Sequence, residues 1–193
     1  DICSGTLQVT NNYPGIFDAA CGLSGVYTVT FSTADACGND VTCTRTVTIN
    51  DTTLPIITSP AAPLTVECDG LGNTVQLNTW LNNNGGATAS DLCSSPLQIT
   101  WRTPVLVNTQ TLCGGTRILT YRFVAVDACN NESLPVFSTF TIQDNTLPLI
   151  SSPATDLVVE CDGAGNISQL QVWLNAQGNA LASDICSGPV IWQ

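Results

Sequence analysis

The residues of this chain that can do chemistry are its cysteines and its acids. Ten of the 193 residues are Cys, fifteen are Asp or Glu, and His is absent. Cysteines can form disulfides, and carboxylates can bind hard cations such as Ca²⁺. A zinc or redox site is not expected, because the sequence contains neither a CxxC pair nor a histidine.

No set of side chains in the sequence is suited to catalysis. A nucleophile needs a nearby base, but the chain has neither His nor Lys, and its Ser and Thr are spread along expected strands. Glu67 and Asp69 have the groups for acid–base work, but a strand end followed by a turn explains this pair better. The sequence therefore predicts no catalytic residue and no enzyme activity.

The cysteines and acids recur because the sequence repeats. The segment 54–73 returns as 147–166, and 147 − 54 gives an offset of 93 residues without a gap. The segment 21–37 likewise matches 113–129. A period of this length suits one small domain better than a solenoid unit. We predict three parts, namely the C-terminal part of a repeat in 1–50, a complete repeat in 51–143 and the N-terminal part of a further repeat in 144–193.

The chain starts and stops at the same phase of this repeat. The segment Asp1–Gly5 returns as Asp184–Gly188. One explanation is that the chain is a window from a longer tandem array. The other is that neighbouring chains complete each other's repeats head to tail by strand complementation, which would produce an open filament.

Apolar residues alternate along short segments in the way that is typical of strands. Leu119, Tyr121 and Phe123 share one face of the segment 118–126, and 97–101 alternates in the same way. Frequent turns separate these segments. The pattern predicts an all-β fold, with one Ig-like β-sandwich in each repeat of about 93 residues.

One short helix is expected in each repeat. Leu77 and Trp80 have helical spacing, and Gly85 marks the end of the helix. The copy of this helix carries Trp173. We expect both Trp side chains to pack their helix onto the sandwich, with stacking on carbohydrate as the alternative. Trp101 has no counterpart in the first repeat and is the other candidate for carbohydrate binding.

The stretch 27–39, followed by Cys43 and 47–51, resembles the hyalin repeat (HYR). The signature of that family has the form V-T-Y-x-A-x-D-x-x-G-N…C-x-x-x-V-x-V-x-D. The four-cysteine layout of the complete repeat resembles the bacterial HYR-like variety. The second copy departs from the signature, because Asn130 stands where the signature has Gly and Cys43 has no counterpart.

The resemblance covers essentially the whole chain. It implies an Ig-like fold in tandem modules of large secreted surface proteins, notably those of gliding and biofilm-forming Bacteroidetes. It therefore implies an extracellular, cell-surface role in adhesion or scaffolding, and it does not imply a ligand. The cysteine content independently favours an oxidising compartment.

Disulfides are expected to staple each repeat. The expected pairs are Cys21–Cys37, Cys68–Cys93, Cys113–Cys129 and Cys161–Cys186. Four cysteines allow three connectivities, so other pairings stay open. Cys3 would find its partner upstream, and Cys43 would pair upstream or with Cys3. Each bridge would close a loop of about 15–25 residues, which contributes roughly 3 kcal/mol in the chain-entropy model.

The sequence requires no cofactor, and Ca²⁺ is the candidate that its acids could hold, because turns rich in carboxylates and backbone carbonyls supply the oxygens that Ca²⁺ requires. The predicted ligands are Glu67, Asp69 and Asn73 and their copies Glu160, Asp162 and Asn166. A second group is expected near the ends of repeats, where an ion would stiffen the array, and consists of Asp51, Asp91, Asp127 and Asp144. Capping and turn formation explain these Asp residues better than a bound ion, since no spacing here matches an EF-hand.

One threonine is a candidate for modification. Thr52 follows Asp51 in a short sequence that resembles the O-glycosylation acceptor of Bacteroidetes. This resemblance predicts a glycan on Thr52.

The charge of the chain limits its partners. The net charge is −11, which argues against nucleic acid and anionic membranes. No apolar run reaches the roughly 20 residues that span a bilayer, so no membrane insertion is expected. The expected partners are neighbouring repeats or identical chains in a fibre, together with surface glycans.

The sequence thus predicts a non-enzymatic structural module of a secreted adhesin or extracellular filament. Its role would be to provide reach and mechanical stability. Two alternatives belong to other classes: a carbohydrate- or surface-binding module, and an accessory domain of a large secreted hydrolase.

Overall fold

The structure is a computed structural model that describes residues 5–193. Its helices are α1 (Thr74–Asn82) and α2 (Ile167–Asn175). Its strands are β1 (Thr10–Asn11), β2 (Ile16–Cys21), β3 (Ser24–Ala34), β4 (Asp40–Ile49), β5 (Ile56–Ser59), β6 (Leu64–Glu67), β7 (Thr88–Ser90), β8 (Thr100–Trp101), β9 (Val105–Thr111), β10 (Arg117–Phe123), β11 (Ala125–Val126), β12 (Val136–Gln143), β13 (Leu149–Ser152) and β14 (Leu181–Ser183). The predicted all-β class with short helices is confirmed.

The chain divides into two compact units. The first contains the residues up to Ala61, Gly86–Val105 and Arg122–Phe137, and the second contains Ala62–Gly85, Leu106–Tyr121 and Ser138–Gln193. Each unit therefore combines part of the predicted repeat 51–143 with residues of one flanking segment. The repeat boundaries themselves stay a prediction from the sequence.

A four-stranded antiparallel sheet dominates the first unit. Its central strand is β3, with β1 and β2 along one edge and β4 along the other. Val29 of β3 is buried, whereas every residue of β4 is exposed. Within residues 5–193, β4 pairs with no strand other than β3 and is therefore an edge strand.

The second unit contains most of a four-stranded sheet with the order β6-β12-β10-β9. The strands β6 and β12 run parallel, with Phe140 opposite Leu64 and Ile142 opposite Val66. Phe140 and Ile142 are buried, and Thr141 between them is less so. This alternation is the period of two that a strand with one covered face requires.

Trp80 anchors α1 in the core of the second unit. Its indole Nε1–H donates to the carbonyl of Ala62 at 2.9 Å. Its ring lies 5.9 Å from that of Tyr121 and 5.8 Å from that of Phe140, between centroids. Trp80 is only 7% exposed. The prediction that this Trp packs the helix against strands is confirmed, and stacking on carbohydrate is not available to a side chain this buried.

The segment that contains α2 has the same local structure but a different environment. Trp173 donates to the carbonyl of Thr155 at 2.9 Å, as Trp80 does to Ala62. Yet Trp173 is half-exposed, and Leu170 beside it is exposed. Both helices have nine residues, and within residues 5–193 no helical segment could span a bilayer.

We predict that Trp80→Ala and Trp173→Ala have unequal effects on the stability of the monomeric protein. Removing a fully packed Trp typically costs about 3–5 kcal/mol, because it leaves a cavity. We expect a cost in this range at position 80 and less than half of it at position 173. Urea unfolding followed by circular dichroism measures both. Equal costs would contradict the difference in packing between the two helices.

Candidate functional site

Two disulfides join positions that are more than one repeat length apart. Cys21, at the end of β2, bonds Cys129, which is 108 residues further along the chain. Cys68, just after β6, bonds Cys186, which is 118 residues further along. Each bond lies within one compact unit. In the chain-entropy model a loop of about 100 residues contributes roughly 4.7 kcal/mol, and disulfides of this kind indicate an oxidising, extracellular environment.

The predicted pairs Cys21–Cys37, Cys68–Cys93, Cys113–Cys129 and Cys161–Cys186 are wrong. The first pair shows the physical reason. Cys21 lies opposite Ser24 at the start of β3, whereas Cys37 follows the far end of that strand. Eleven residues of strand span about 35 Å at 3.3 Å per residue, and a disulfide requires the two Cα atoms to be within about 7 Å.

Five cysteines of the described residues are unpaired, and they are Cys37, Cys43, Cys93, Cys113 and Cys161. All of them are exposed except Cys93, which is half-buried. Cys3, for which an upstream partner was expected, lies outside the described residues. The cysteines of this chain are thus divided between formed bridges and available thiols.

Three Asp carboxylates meet in the first unit. Asp51 follows β4, Asp91 follows β7 and Asp127 follows β11, so each comes at the end of a strand. One oxygen from each carboxylate lies within 4.8 Å of the others. This confirms that these three members of the group predicted near repeat ends lie together.

Two of the three carboxylates have an oxygen that no protein group satisfies. Oδ2 of Asp51 and Oδ2 of Asp91 are buried, and within residues 5–193 they have no hydrogen-bond partner. The Asp51 residue itself is only 8% exposed. Buried polar atoms are normally paired, and three negative charges this close repel one another. A divalent cation would satisfy both oxygens and compensate two of the charges.

The third carboxylate also positions the disulfide. Oδ1 of Asp127 accepts from the backbone N–H groups of Cys129 and Asn131, both at 2.8 Å. Asp35 makes the same bonds to Cys37 and Asn39. In both loops the sequence is Asp-Ala-Cys, and the Asp fixes the position of the Cys relative to the strand that precedes it.

The tolerance of Asn at position 130 follows from the same loop. Gly38 has φ +86° and Asn130 has φ +68°. Both residue types enter the left-handed region more readily than most others. The departure from the HYR-like signature at position 130 therefore leaves the loop geometry intact.

Cys93 lies against the acidic cluster. Burial raises the pKa of its thiol, and the negative charges of Asp51, Asp91 and Asp127 raise that pKa further. Its carbonyl accepts from the backbone N–H of Leu23 at 2.8 Å. The thiolate form of Cys93 is thus disfavoured in the unpaired state.

The second unit contains part of the same arrangement. Asp144 and Asp184 stand 93 residues after Asp51 and Asp91. Oδ2 of Asp184 is again buried without a partner in the described part of the chain, while Oδ2 of Asp144 accepts from the hydroxyl of Ser187.

The calcium ligands predicted from sequence take part in a hydrogen-bonded loop instead. Oδ1 of Asp69 accepts from the N–H groups of Leu71 and Asn73, and Nδ2 of Asn73 donates to the carbonyl of Glu67. The copy has the same bonds among Glu160, Asp162, Ala164 and Asn166. This accounts for the positions of these side chains, and a Ca²⁺ ion bound by them stays a prediction.

The Glu67 carboxylate closes a long-range contact within the second unit. It accepts from the backbone N–H of Asn145 at 2.7 Å and from the hydroxyl of Thr146 at 3.1 Å. The Asn145 hydrogen bond, followed by that of Thr146, lowers the pKa of Glu67. The backbone N–H groups of Asn73 and Leu71 likewise lower the pKa of Asp69.

Two further residues predicted from sequence can be placed. Thr52 is exposed, which a glycan acceptor requires. Trp101 is half-buried in β8, opposite Ala125 of β11. The predicted strand 97–101 is shorter than expected, because Pro96–Gln98 forms a 3₁₀ turn and only Thr100 and Trp101 belong to the strand.

No protein-family model matches this chain, and no curated protein is similar to it. The likeness to HYR-like repeats therefore stays a proposal from the sequence.

We predict that Ca²⁺ stabilises the protein through the Asp51–Asp91–Asp127 cluster. A ligand at 100 times its dissociation constant adds about 2.7 kcal/mol, which for a chain of this size corresponds to a rise of roughly 5–10 °C in Tm. The measurement is thermal unfolding in Ca²⁺ and in EDTA. The variant Asp51→Asn/Asp91→Asn should abolish the rise.

Asp162→Asn is the matched control, because Asp162 belongs to the ligand set predicted from sequence. If this substitution removed the Ca²⁺ effect and the double variant kept it, the ion would bind at the 160–166 loop. No rise in Tm in any of the proteins would exclude both assignments.

We predict that Glu67 contributes to a loss of stability in acid. Since the pKa of Glu67 is lowered in the folded state, the unfolded chain binds more protons at acid pH. The contribution of Glu67 to the free energy of unfolding is therefore complete above about pH 4.3 and disappears as the pH falls through the lowered pKa. Glu67→Gln should therefore flatten the dependence of unfolding free energy on pH between 5 and 2. Glu160→Gln is the matched control, because Glu160 holds the equivalent position and its carboxylate makes no such hydrogen bonds within residues 5–193. An equal effect of both substitutions would contradict this assignment.

Proposed function

We propose that this chain is a non-enzymatic structural module of a secreted cell-surface adhesin or extracellular filament, built from HYR-like repeats. The observation that carries the proposal is the pair of disulfides that connect Cys21 with Cys129 and Cys68 with Cys186. Each bridge ties a position in one predicted repeat to a position in the next. A pull on the chain ends is then resisted by covalent bonds as well as by packing.

Two further features support a mechanical role. The acidic cluster lies where the β4 end meets residues of the following repeat, so a cation there would stiffen a connection between repeats. The net charge of −11 favours solubility and disfavours unspecific association between modules.

One observation favours a carbohydrate- or surface-binding function as a second candidate. Tyr13, Phe17 and Tyr27 form a row on the sheet of the first unit, with ring centroids 6.2 Å apart for Tyr13–Tyr27 and 4.5 Å apart for Phe17–Tyr27. Tyr13 is 71% exposed. Exposed aromatic faces can stack on sugars, and binding on a glycan array that is lost in Tyr13→Ala would favour this function.

The structural role is tested on native material. We predict that antibodies against this chain label filaments or stalks outside the cells in immunogold electron microscopy. Label confined to the cell interior would contradict the proposal. Label on a soluble secreted enzyme, identified by mass spectrometry of the labelled complex, would favour the accessory domain of a hydrolase.

A further inference from the structure

Four of the five unpaired cysteines of the described residues occupy the same positions in the repeat as the paired ones. Cys21 precedes a Gly, as Cys113 does, and Cys129 ends an Asp-Ala-Cys motif, as Cys37 does. The bond Cys21–Cys129 therefore joins a Cys-Gly cysteine to the Asp-Ala-Cys cysteine of the next repeat. By the same rule, Cys113 requires an Asp-Ala-Cys cysteine one repeat later, and Cys37 requires a Cys-Gly cysteine one repeat earlier.

The other disulfide follows an equivalent rule. Cys68 and Cys161 both lie in a Val-Glu-Cys-Asp-Gly sequence, and Cys186 and Cys93 both lie in Asp-x-Cys-Ser. The bond Cys68–Cys186 joins the first motif to the second motif of the following repeat. Cys161 thus requires an Asp-x-Cys-Ser cysteine one repeat later, and Cys93 requires a Val-Glu-Cys cysteine one repeat earlier.

One chain carries both the cysteines that need partners in a following repeat and the cysteines that can serve as those partners. Cys113 and Cys161 both need partners in a following repeat, and Cys37 and Cys93 are cysteines of the two motifs that would supply them. Cys43 is the one unpaired cysteine of the described residues that has no counterpart in the other copy.

An apolar groove in the second unit also indicates that a partner is required. It has a volume of about 460 Å³ and is lined by Leu157, Val159, Val172 and Trp173, among others. The corresponding residues of the complete repeat include Leu64, Val66 and Trp80, and β12 covers them through Phe140 and Ile142. Residues 157–160 form no strand, and Val158 is 93% exposed.

The strand that corresponds to β12 is β4 of the first unit. Val47 and Ile49 stand 93 residues before Phe140 and Ile142. They are 54% and 40% exposed. In sheet order, β2-β3-β4 corresponds to β9-β10-β12, and among the described strands only the neighbour equivalent to β6 is missing from the first sheet.

We propose that a second copy of this chain docks head to tail on the groove at Trp173, so that its β4 pairs in parallel with residues 157–160. The register of β6 and β12 places Val47 of the second copy opposite Leu157 and Ile49 of the second copy opposite Val159. Disulfides then form between Cys113 and Cys37 of the second copy and between Cys161 and Cys93 of the second copy. The inference deepens the filament role and rests on it for its biological meaning.

The covalent step has a defined balance. Each new S–S bond forms from two thiols, which lose two protons and two electrons. The electrons reduce the disulfide of a thiol–disulfide oxidoreductase of the secretory route to two thiols, as exchange through a mixed disulfide requires. In vitro, oxidised glutathione takes the place of this enzyme and becomes two molecules of reduced glutathione.

The experiment uses the full chain, refolded with oxidised and reduced glutathione, and two blocked variants. Cys37→Ser/Cys93→Ser removes the thiols that face a preceding copy, and Cys113→Ser/Cys161→Ser removes those that face a following copy. The unmodified chain should give a ladder of covalent oligomers on a non-reducing gel. Each blocked variant should run as a single chain, and an equimolar mixture of the two should stop at a two-chain product.

The bonds are identified by peptide mapping of that two-chain product. We expect linked peptides that contain Cys113 with Cys37 and Cys161 with Cys93, and Cys43→Ser should polymerise as the unmodified chain does. Val47→Lys, which changes an exposed side chain, should leave the unfolding temperature of the single chain unchanged and reduce the yield of oligomers at least tenfold.

Three results would overturn the inference. The first is a folded, oxidised monomer in which the four thiols remain open to alkylation. The second is a single chain that carries the two bonds internally. The third is a set of oligomers linked through other pairs or formed equally well by Val47→Lys.

Native material separates this inference from the proposed function. Extracellular filaments that fall to units of about 20 kDa under reductant would support both. Extracellular filaments whose polypeptide stays very large under reductant would keep the structural function and overturn the second copy as the partner. A cell interior location combined with the expected ladder in vitro would overturn the function and leave the docking intact.

Discussion

The structure depends on covalent links between positions that are far apart in the sequence. Disulfide loops of about 15–25 residues would stabilise one repeat only. The observed bridges span 108 and 118 residues and therefore link one predicted repeat covalently to the next. Their entropic contribution is also larger, at roughly 4.7 kcal/mol for about 100 residues against 3 kcal/mol for 15. This is a substantial share of the 5–15 kcal/mol by which folded domains are usually stable.

The acidic cluster and the Cys21–Cys129 disulfide share one loop. Asp127 holds the backbone of Cys129 in the loop that carries the first bridge, and it also contributes to the cluster with Asp51 and Asp91. Cation binding and disulfide formation would therefore stiffen the same place. The same turn recurs where an Asp stands two positions before a Cys, because Asp35, Asp91 and Asp184 also accept from the backbone N–H of the Cys that follows.

Burial differs between segments of nearly identical sequence, and this difference supports the docking of a second copy at Trp173. Trp80 and Trp173 make the same hydrogen bond to a carbonyl 18 residues earlier, yet only Trp80 is covered by aromatic rings. The helix and its anchor are thus specified locally. The cover of Trp80 comes from a strand that is distant in sequence, and for Trp173 we propose that β4 of a second copy supplies it.

The sequence by itself determined the all-β class, the two helices and the turns, because these follow from the spacing of apolar residues and from Asp, Asn and Gly at fixed offsets. It also placed Asp51, Asp91 and Asp127 near one another through the repeat pattern. The disulfide partners were decided by the tertiary structure alone. Motif spacing favoured the nearest cysteine, but β3 separates Cys21 from Cys37 along its whole length, and the loop after β11 brings Cys129 to Cys21 instead.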